Sequence, residues 1–217
     1  MKIIIIGRGS SCLRCKRDFV ESHDLIVVTN NFKYIGYEKY LGDKADIQFR
    51  NRGTCAFSSD EIKKLGLKKV IFSNDNGYVG LPKYYNELGV EVVHPKPPIK
   101  TIMNKEYNFN CSTGIIAIYY MLNYYNPSEL SLIGIDLYEN GQKAYYFKDE
   151  DADPMLKRYY QRKVLRGGIV RTDNHHQADR SAEFIRDVII KNQHIKFNVL
   201  TNSTRFSGFD SDNVTWL

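Results

Sequence analysis

Seven short apolar runs constrain this chain more than any other feature: KIIIIG, DLIVVTNN, ADIQF, KKVIFS, VEVVH, LSLIGID and IKFNVL. They read as buried strands. Helical patterns lie between several of them. SSDEIKKLG opens on a serine cap and closes on glycine. STGIIAIYYMLNYY is apolar on all sides, as a buried helix is. QADRSAEFIRDVIIKN sets Ala182, Ile185, Val188 and Ile189 at helical spacing. Strands alternating with helices predict an α/β fold, a Rossmann-like and mostly parallel sheet with helices on both faces. The 217 residues suit one such domain, 1–217.

In such a sheet, ligands bind outside the carboxyl ends of the strands. The residues there are Gly7 to Ser11, Thr29 to Asn31, Arg50 to Arg52, Ser73 to Asp75 and Asp136 to Tyr138. They are small, polar and rich in amides, a bias that loops share in general. One stretch has no clean period, 139–172. From Met155 to Arg171 it carries Lys157, Arg158, Arg162, Lys163, Arg166 and Arg171 without an acid, and Tyr145, Tyr146, Tyr159 and Tyr160 fall in the same stretch. We read it as a lid inserted over the strand ends, since long loops in compact domains commonly carry function. The plainer reading is a solvated basic face.

The net charge of +6 and pI of about 9.0 favour an anionic partner, whether nucleotide, nucleic acid or membrane surface. No apolar run is long enough to predict a membrane-spanning helix. The opening MKIIIIGRGSS is too short for a signal sequence, so the expected location is cytoplasmic. Cys12 and Cys15 form one C-x-x-C. Cys55 and Cys111 would have to complete a zinc site across the fold, and free thiols are the default expectation.

The loop IIIIGRGSSC approximates G-x-G-x-x-G, with Cys12 at the third glycine; its glycines would let backbone amides approach a phosphate or sugar. A dinucleotide site wants an acid after the second strand, where Thr29, Asn30 and Asn31 stand, so NAD is disfavoured. The G-x-x-x-x-G-K-[ST] loop of nucleoside triphosphatases is absent.

Four segments, IIIIGRGSS, CSTGIIAIYYML, LSLIGIDLYENGQKAYYF and DNHHQADRSAEFI, together resemble the bacterial lipooligosaccharide sialyltransferases of glycosyltransferase family 42. The resemblance spans most of residues 1 to 200, and its specific part is the G-I-D-x-Y-x-N-G segment. It implies the GT-A-like sialyltransferase type of fold and a CMP-sugar donor site. Gly7, Arg8, Gly9 and Ser10 match the first loop, with Arg8 where the family has Asn. Asn30 and Asn51 match amides near the donor. Ser112, Thr113 and Gly114 match the helix start that meets the sugar carboxylate. Gly134, Asp136, Leu137 and Tyr138 match the strand end that takes cytidine and ribose, with Asp136 accepting from the ligand and Tyr138 forming a wall.

Tyr145 matches, with one inserted residue, a tyrosine that helps the departing phosphate. His175 or His176 matches a late histidine, and a histidine is the usual general base for an acceptor hydroxyl. No D-x-D motif stands near a strand end, so no metal or other cofactor is expected, and tyrosine hydroxyls and lid cations would answer the phosphate charge. The implied partners are a CMP-sugar donor and a glycan or lipid-linked saccharide acceptor. A peripheral membrane contact through the basic lid and a homo-oligomer stay open.

Other readings remain. CMP-Kdo is a close variant of the donor. A Rossmann-type nucleotide-binding protein, such as a pterin pyrophosphokinase-like one, is a second class. No nucleic acid partner is expected, because no binding module is recognisable. Asp136 also suits a helix cap, and so does one of the adjacent histidines.

Overall fold

The computed structural model describes residues 1–51, 56–73, 80–137, 146–147 and 177–217. Eight strands form one parallel sheet: β1 (Lys2–Ile6), β2 (Leu25–Thr29), β3 (Ile47–Arg50), β4 (Lys69–Phe72), β5 (Glu91–Val93), β6 (Glu129–Ile133), β7 (Lys196–Leu200) and β8 (Val214–Trp216). Their order is β5-β4-β3-β2-β1-β6-β7-β8. Every pairing is parallel, with Ile5 beside Val27 on one side and beside Leu132 on the other.

The central strands carry β-branched residues toward both faces and are buried on both, as covered parallel strands are. On one face, Ile3, Ile5, Val27 and Phe49 pack under α5 (Ile99–Tyr107), α6 (Thr113–Tyr125) and α7 (Ala178–Lys191). On the other, Ile4, Ile6, Val28 and Val70 pack under α1 (Arg17–Glu21), α2 (Glu38–Leu41), α3 (Ser59–Leu65) and α4 (Gly80–Glu87).

Local chemistry sets the helix ends. In α3, Ser58 and Glu61 form a reciprocal capping box, and Gly66 closes the helix at φ +66°. In α6, Ser112 Oγ accepts from Ile115 N–H, and eight of the thirteen residues are buried, in keeping with its all-round apolar pattern. No helix among the described residues is long and apolar enough to cross a membrane.

The chain leaves β1 toward β2 on one side, whereas β6, β7 and β8 extend the sheet on the other. The sheet therefore reverses its winding between β1 and β6. At such a junction the connections diverge and leave a crevice at the strand ends.

Candidate functional site

That crevice is where the predicted residues meet. An open-mouthed pocket is lined by Gly7, Arg8 and Gly9 after β1, Thr29 and Asn30 at the end of β2, Ser112 to Gly114 at the start of α6, and Gly134 to Leu137 after β6.

The glycines serve a purpose other than the expected one. Gly7 N–H donates to Ile133 O at 2.7 Å and Gly9 N–H to Gly134 O at 2.8 Å, so both amides are spent on the end of β6 rather than offered to a phosphate. A Cβ at Gly7 would lie 2.3 Å from Gly134 O, and one at Gly9 would lie 2.4 Å from Asp136 Oδ2. The Gly134 backbone demands glycine at position 7, and the Asp136 side chain demands it at position 9. Between them, Arg8 Nη1 donates to Asn31 Oδ1 at 2.6 Å.

Asp136 is buried, and its carboxylate is fully engaged. Oδ2 accepts from Ser11 N–H at 2.8 Å; Oδ1 accepts from Ser11 Oγ at 2.5 Å, Asn202 N–H at 3.0 Å and Thr201 Oγ1 at 3.3 Å. It ties the first loop to the end of β7. The sequence expectation has these oxygens accepting from a ligand; in the structure they accept from the protein, and one donor, Ser11, lies in the 3-10 turn Ser10–Arg14. Leu137 follows in the left-handed region at φ +57°, with its side chain held in the core.

Asn30 is left-handed as well, at φ +54°. Its N–H donates to Phe49 O at 2.7 Å, and its Oδ1 accepts from Asn51 N–H at 3.0 Å and Thr113 Oγ1 at 3.5 Å. Those donors fix which side of the amide is oxygen. Its Nδ2 has no hydrogen-bond partner among the described residues, and Asn30 lines the pocket. Asn51 thus stands behind Asn30 rather than in the lining. Ser10 is also outside the lining, its Oγ accepting from Asn202 Nδ2 at 2.9 Å. The first-turn amides of Thr113 and Gly114 meet the pocket with the positive end of the α6 dipole.

Thr29 and Ile135 line the pocket beyond the residues foreseen as ligands. Thr29 stands at the end of β2, and its hydroxyl donates to Ile6 O at 3.2 Å. Ile135 carried only an apolar signal inside the G-I-D segment.

Tyr138, Tyr145, His175 and His176 lie outside the described residues, as does most of 139–172. Tyr146 and Phe147 are the described part, and both are buried. Tyr146 N–H donates to Arg8 O at 2.9 Å; its hydroxyl donates to Lys33 O at 2.6 Å and accepts from Lys33 N–H at 3.0 Å. Burial pushes that phenol well above its usual range, so it stays protonated.

Cys12 and Cys15 are free thiols packed on one face of the sheet, and Cys111 is a free thiol on the other; Cys55 lies outside the described residues. The sheet separates Cys111 from the C-x-x-C pair, which corrects the thought that it completes a zinc site. Among the described residues, no three His, Cys, Asp or Glu side chains gather as a metal site.

No family model and no curated protein matches the sequence. Solved structures do match. One is the Campylobacter jejuni sialyltransferase CstII in complex with CMP-3FNeuAc, at 18% identity and a TM-score of 0.62 over 96% of this chain and 84% of that one. Another is the monofunctional alpha-2,3-sialyltransferase Cst-I of the same organism, at 20% identity and a TM-score of 0.57 over 96% and 79%. A mammalian sialyltransferase in complex with Gal-beta-1-3GalNAc-ortho-nitrophenol matches at 14% and 0.57 over 90% and 68%. The chain has the α/β fold of these sialyltransferases, a single parallel sheet whose winding reverses at the pocket.

Proposed function

We propose that the chain is a glycosyltransferase that moves sialic acid, or a related acidic sugar, from a CMP-activated donor to a glycan hydroxyl. One observation carries this reading. The pocket at the β1–β6 junction is lined by three of the four segments that resemble the family, with Thr29 and Asn30 beside them, in a fold shared with sialyltransferases solved in complex with CMP and a CMP-sugar analogue.

In this reading Asn30 Nδ2 and the first-turn amides of α6 bind the anionic donor. The acceptor hydroxyl oxygen attacks the anomeric carbon and gives its proton to His175 or His176. The bond from that carbon to the phosphate oxygen breaks, its electron pair leaves with CMP, and the anomeric configuration inverts. Tyr145 and the cations between Met155 and Arg171 answer the charge on the departing phosphate, without a metal. Gly7, Gly9, Gly134 and Asp136 shape the pocket wall, and Leu137 completes it.

Calorimetry with CMP, CDP, UDP and NAD is the first test, on wild type and on Asn30→Ala. Selective CMP binding that weakens in the variant supports the reading. Turnover of CMP-sialic acid and CMP-Kdo then distinguishes the two donors, with and without EDTA, and His175→Ala against His176→Ala locates the base. Preference for UDP or NAD would sink the proposal and favour a nucleotide-binding protein of another class.

A further inference from the structure

Strand β3 reads IQFR and is buried along its whole length. Ile47 and Phe49 join the core on one face. Gln48 and Arg50 alternate with them and meet Tyr85 of α4, a member of the core on the other face. All three of these polar side chains are 0% exposed. An apolar set of similar volume would hold such a core at least as well, because desolvating an amide, a phenol and a guanidinium is costly.

The three form a directed chain. Arg50 can only donate, and its Nη1 donates to Tyr85 Oη at 2.7 Å. The single proton of Tyr85 then goes to Gln48 Oε1 at 3.0 Å. Gln48 is thereby oriented, and its Nε2 donates to the backbone carbonyl of Asn30 at 2.5 Å. Burial raises the Tyr85 phenol above its ordinary value, against the opposing pull of Arg50, so the donor in mid-chain is retained. The Arg50 guanidinium also lies 5.5 Å from the Phe72 ring centre and 5.7 Å from that of Tyr85.

The chain ends on a pocket residue whose own geometry is tightly constrained. Asn30 sits at φ +54°, a conformation that needs support from its surroundings. Its N–H and Oδ1 are already held by Phe49, Asn51 and Thr113. The Gln48 bond fixes the remaining backbone group and sets the peptide plane from which the side chain departs.

We propose that Gln48 and Tyr85, backed by Arg50, are positioning residues that keep the Asn30 amide aimed into the pocket. The proposal rests on the donor-site reading above for its functional consequence. Calorimetry with CMP on the whole chain compares wild type, Tyr85→Phe, Gln48→Met, Asn30→Ala and each of the two double variants with Asn30→Ala. The expected result is a roughly three- to tenfold loss of affinity in Tyr85→Phe and Gln48→Met, the worth of one hydrogen bond, and no further loss once Asn30 is alanine. An unchanged affinity, or the same loss in the Asn30→Ala background, would overturn it.

A second arm needs no ligand. The side-chain amide signal of Asn30 in a nitrogen-15 NMR spectrum, identified by its loss in Asn30→Ala, should move in both single variants. If it stays in place, positioning is refuted. If wild type does not bind CMP at all, the donor reading fails and this spectrum alone decides the positioning role. If neither single variant folds, the chain is a stability element and the proposal falls.

Discussion

Replacing Asp136 with alanine tests the account of the pocket wall most directly. Four donors lose their acceptor, but they do not lose equally. The Ser11 hydroxyl has Leu200 O at 3.1 Å as an alternative, and the Thr201 hydroxyl has Ile135 O at 3.1 Å. The backbone N–H groups of Ser11 and Asn202 both give up their bonds to the carboxylate. A buried donor left unsatisfied costs about 1–3 kcal/mol, so the two together cost up to about 6 kcal/mol, and water entering the space left by the carboxylate favours the lower half. A loss of about 3 kcal/mol is a large share of a typical stability of 5–15 kcal/mol. With a urea slope of roughly 2–3 kcal/mol/M, the unfolding midpoint should fall by about 1 M, read by far-ultraviolet circular dichroism. A loss below about 1 kcal/mol would refute the claim that this carboxylate ties the first loop to β7. The consequence for ligand work is specific: weak CMP binding in Asp136→Ala would report a disordered wall, whereas Asn30→Ala removes a pocket donor.

Three further outcomes are expected. Gly134→Ala should cost about 2–4 kcal/mol, since φ is +69° and the new Cβ would sit 2.4 Å from Cys12 Sγ; adding Cys12→Ala should recover the crowding part, and simple additivity of the two losses in urea unfolding would disprove the contact. His23 is buried, with Nδ1 at 2.8 Å from Phe19 O and Nε2 at 2.7 Å from Ser131 Oγ, and burial lowers its pKa despite Glu129. Its unfolded form therefore binds a proton first, so its contribution is complete above about pH 6.5 and is lost as pH falls from there through the folded value; His23→Gln should flatten that part of the urea midpoint against pH, and identical slopes would rule it out. In a Cys55→Ser background, native protein should resist a thiol reagent until unfolded, because burial raises Cys12 well above its usual value, Cys15 to about 11 and Cys111 to about 12; rapid native labelling would contradict this.

The sequence made the sheet legible because covered parallel strands write themselves as apolar runs, and all seven runs are strands. The eighth, Val214–Trp216, escaped: it is a three-residue edge strand with no buried position. The helices Arg17–Glu21 and Glu38–Leu41 escaped for a related reason. Neither has a capping side-chain bond, and each is held by tertiary packing of one buried residue, Val20 or Leu41. At the site, the strand-end rule found Asn30 and the loop glycines because each acts near its own strand. The role of Asp136 could not be read that way, since Ser11 lies 125 residues away in sequence and Asn202 lies 66 away. Gln48 was visible only as a polar residue inside an apolar run, a signal shared with any half-exposed strand.

These different origins bear on what can be concluded about ligand choice. Gly7 and Gly9 are required by the approach of the first loop to the end of β6. Such constraints follow from the sheet junction and would hold whatever the pocket accepts. A shared glycine pattern therefore argues for a shared junction, not for a shared ligand. On the proposed donor-site reading, discrimination among nucleotides would fall to the Asn30 amide and the first turn of α6, which line the space. Asn30 is held on four sides, by Phe49, Asn51, Thr113 and Gln48, an investment in orientation that a mere strand end does not need. If the pocket selects CMP, the selection should therefore respond to Asn30→Asp, which keeps the size but replaces a donor with a negative charge. It should lose far more affinity for the anionic nucleotide than for uncharged cytidine.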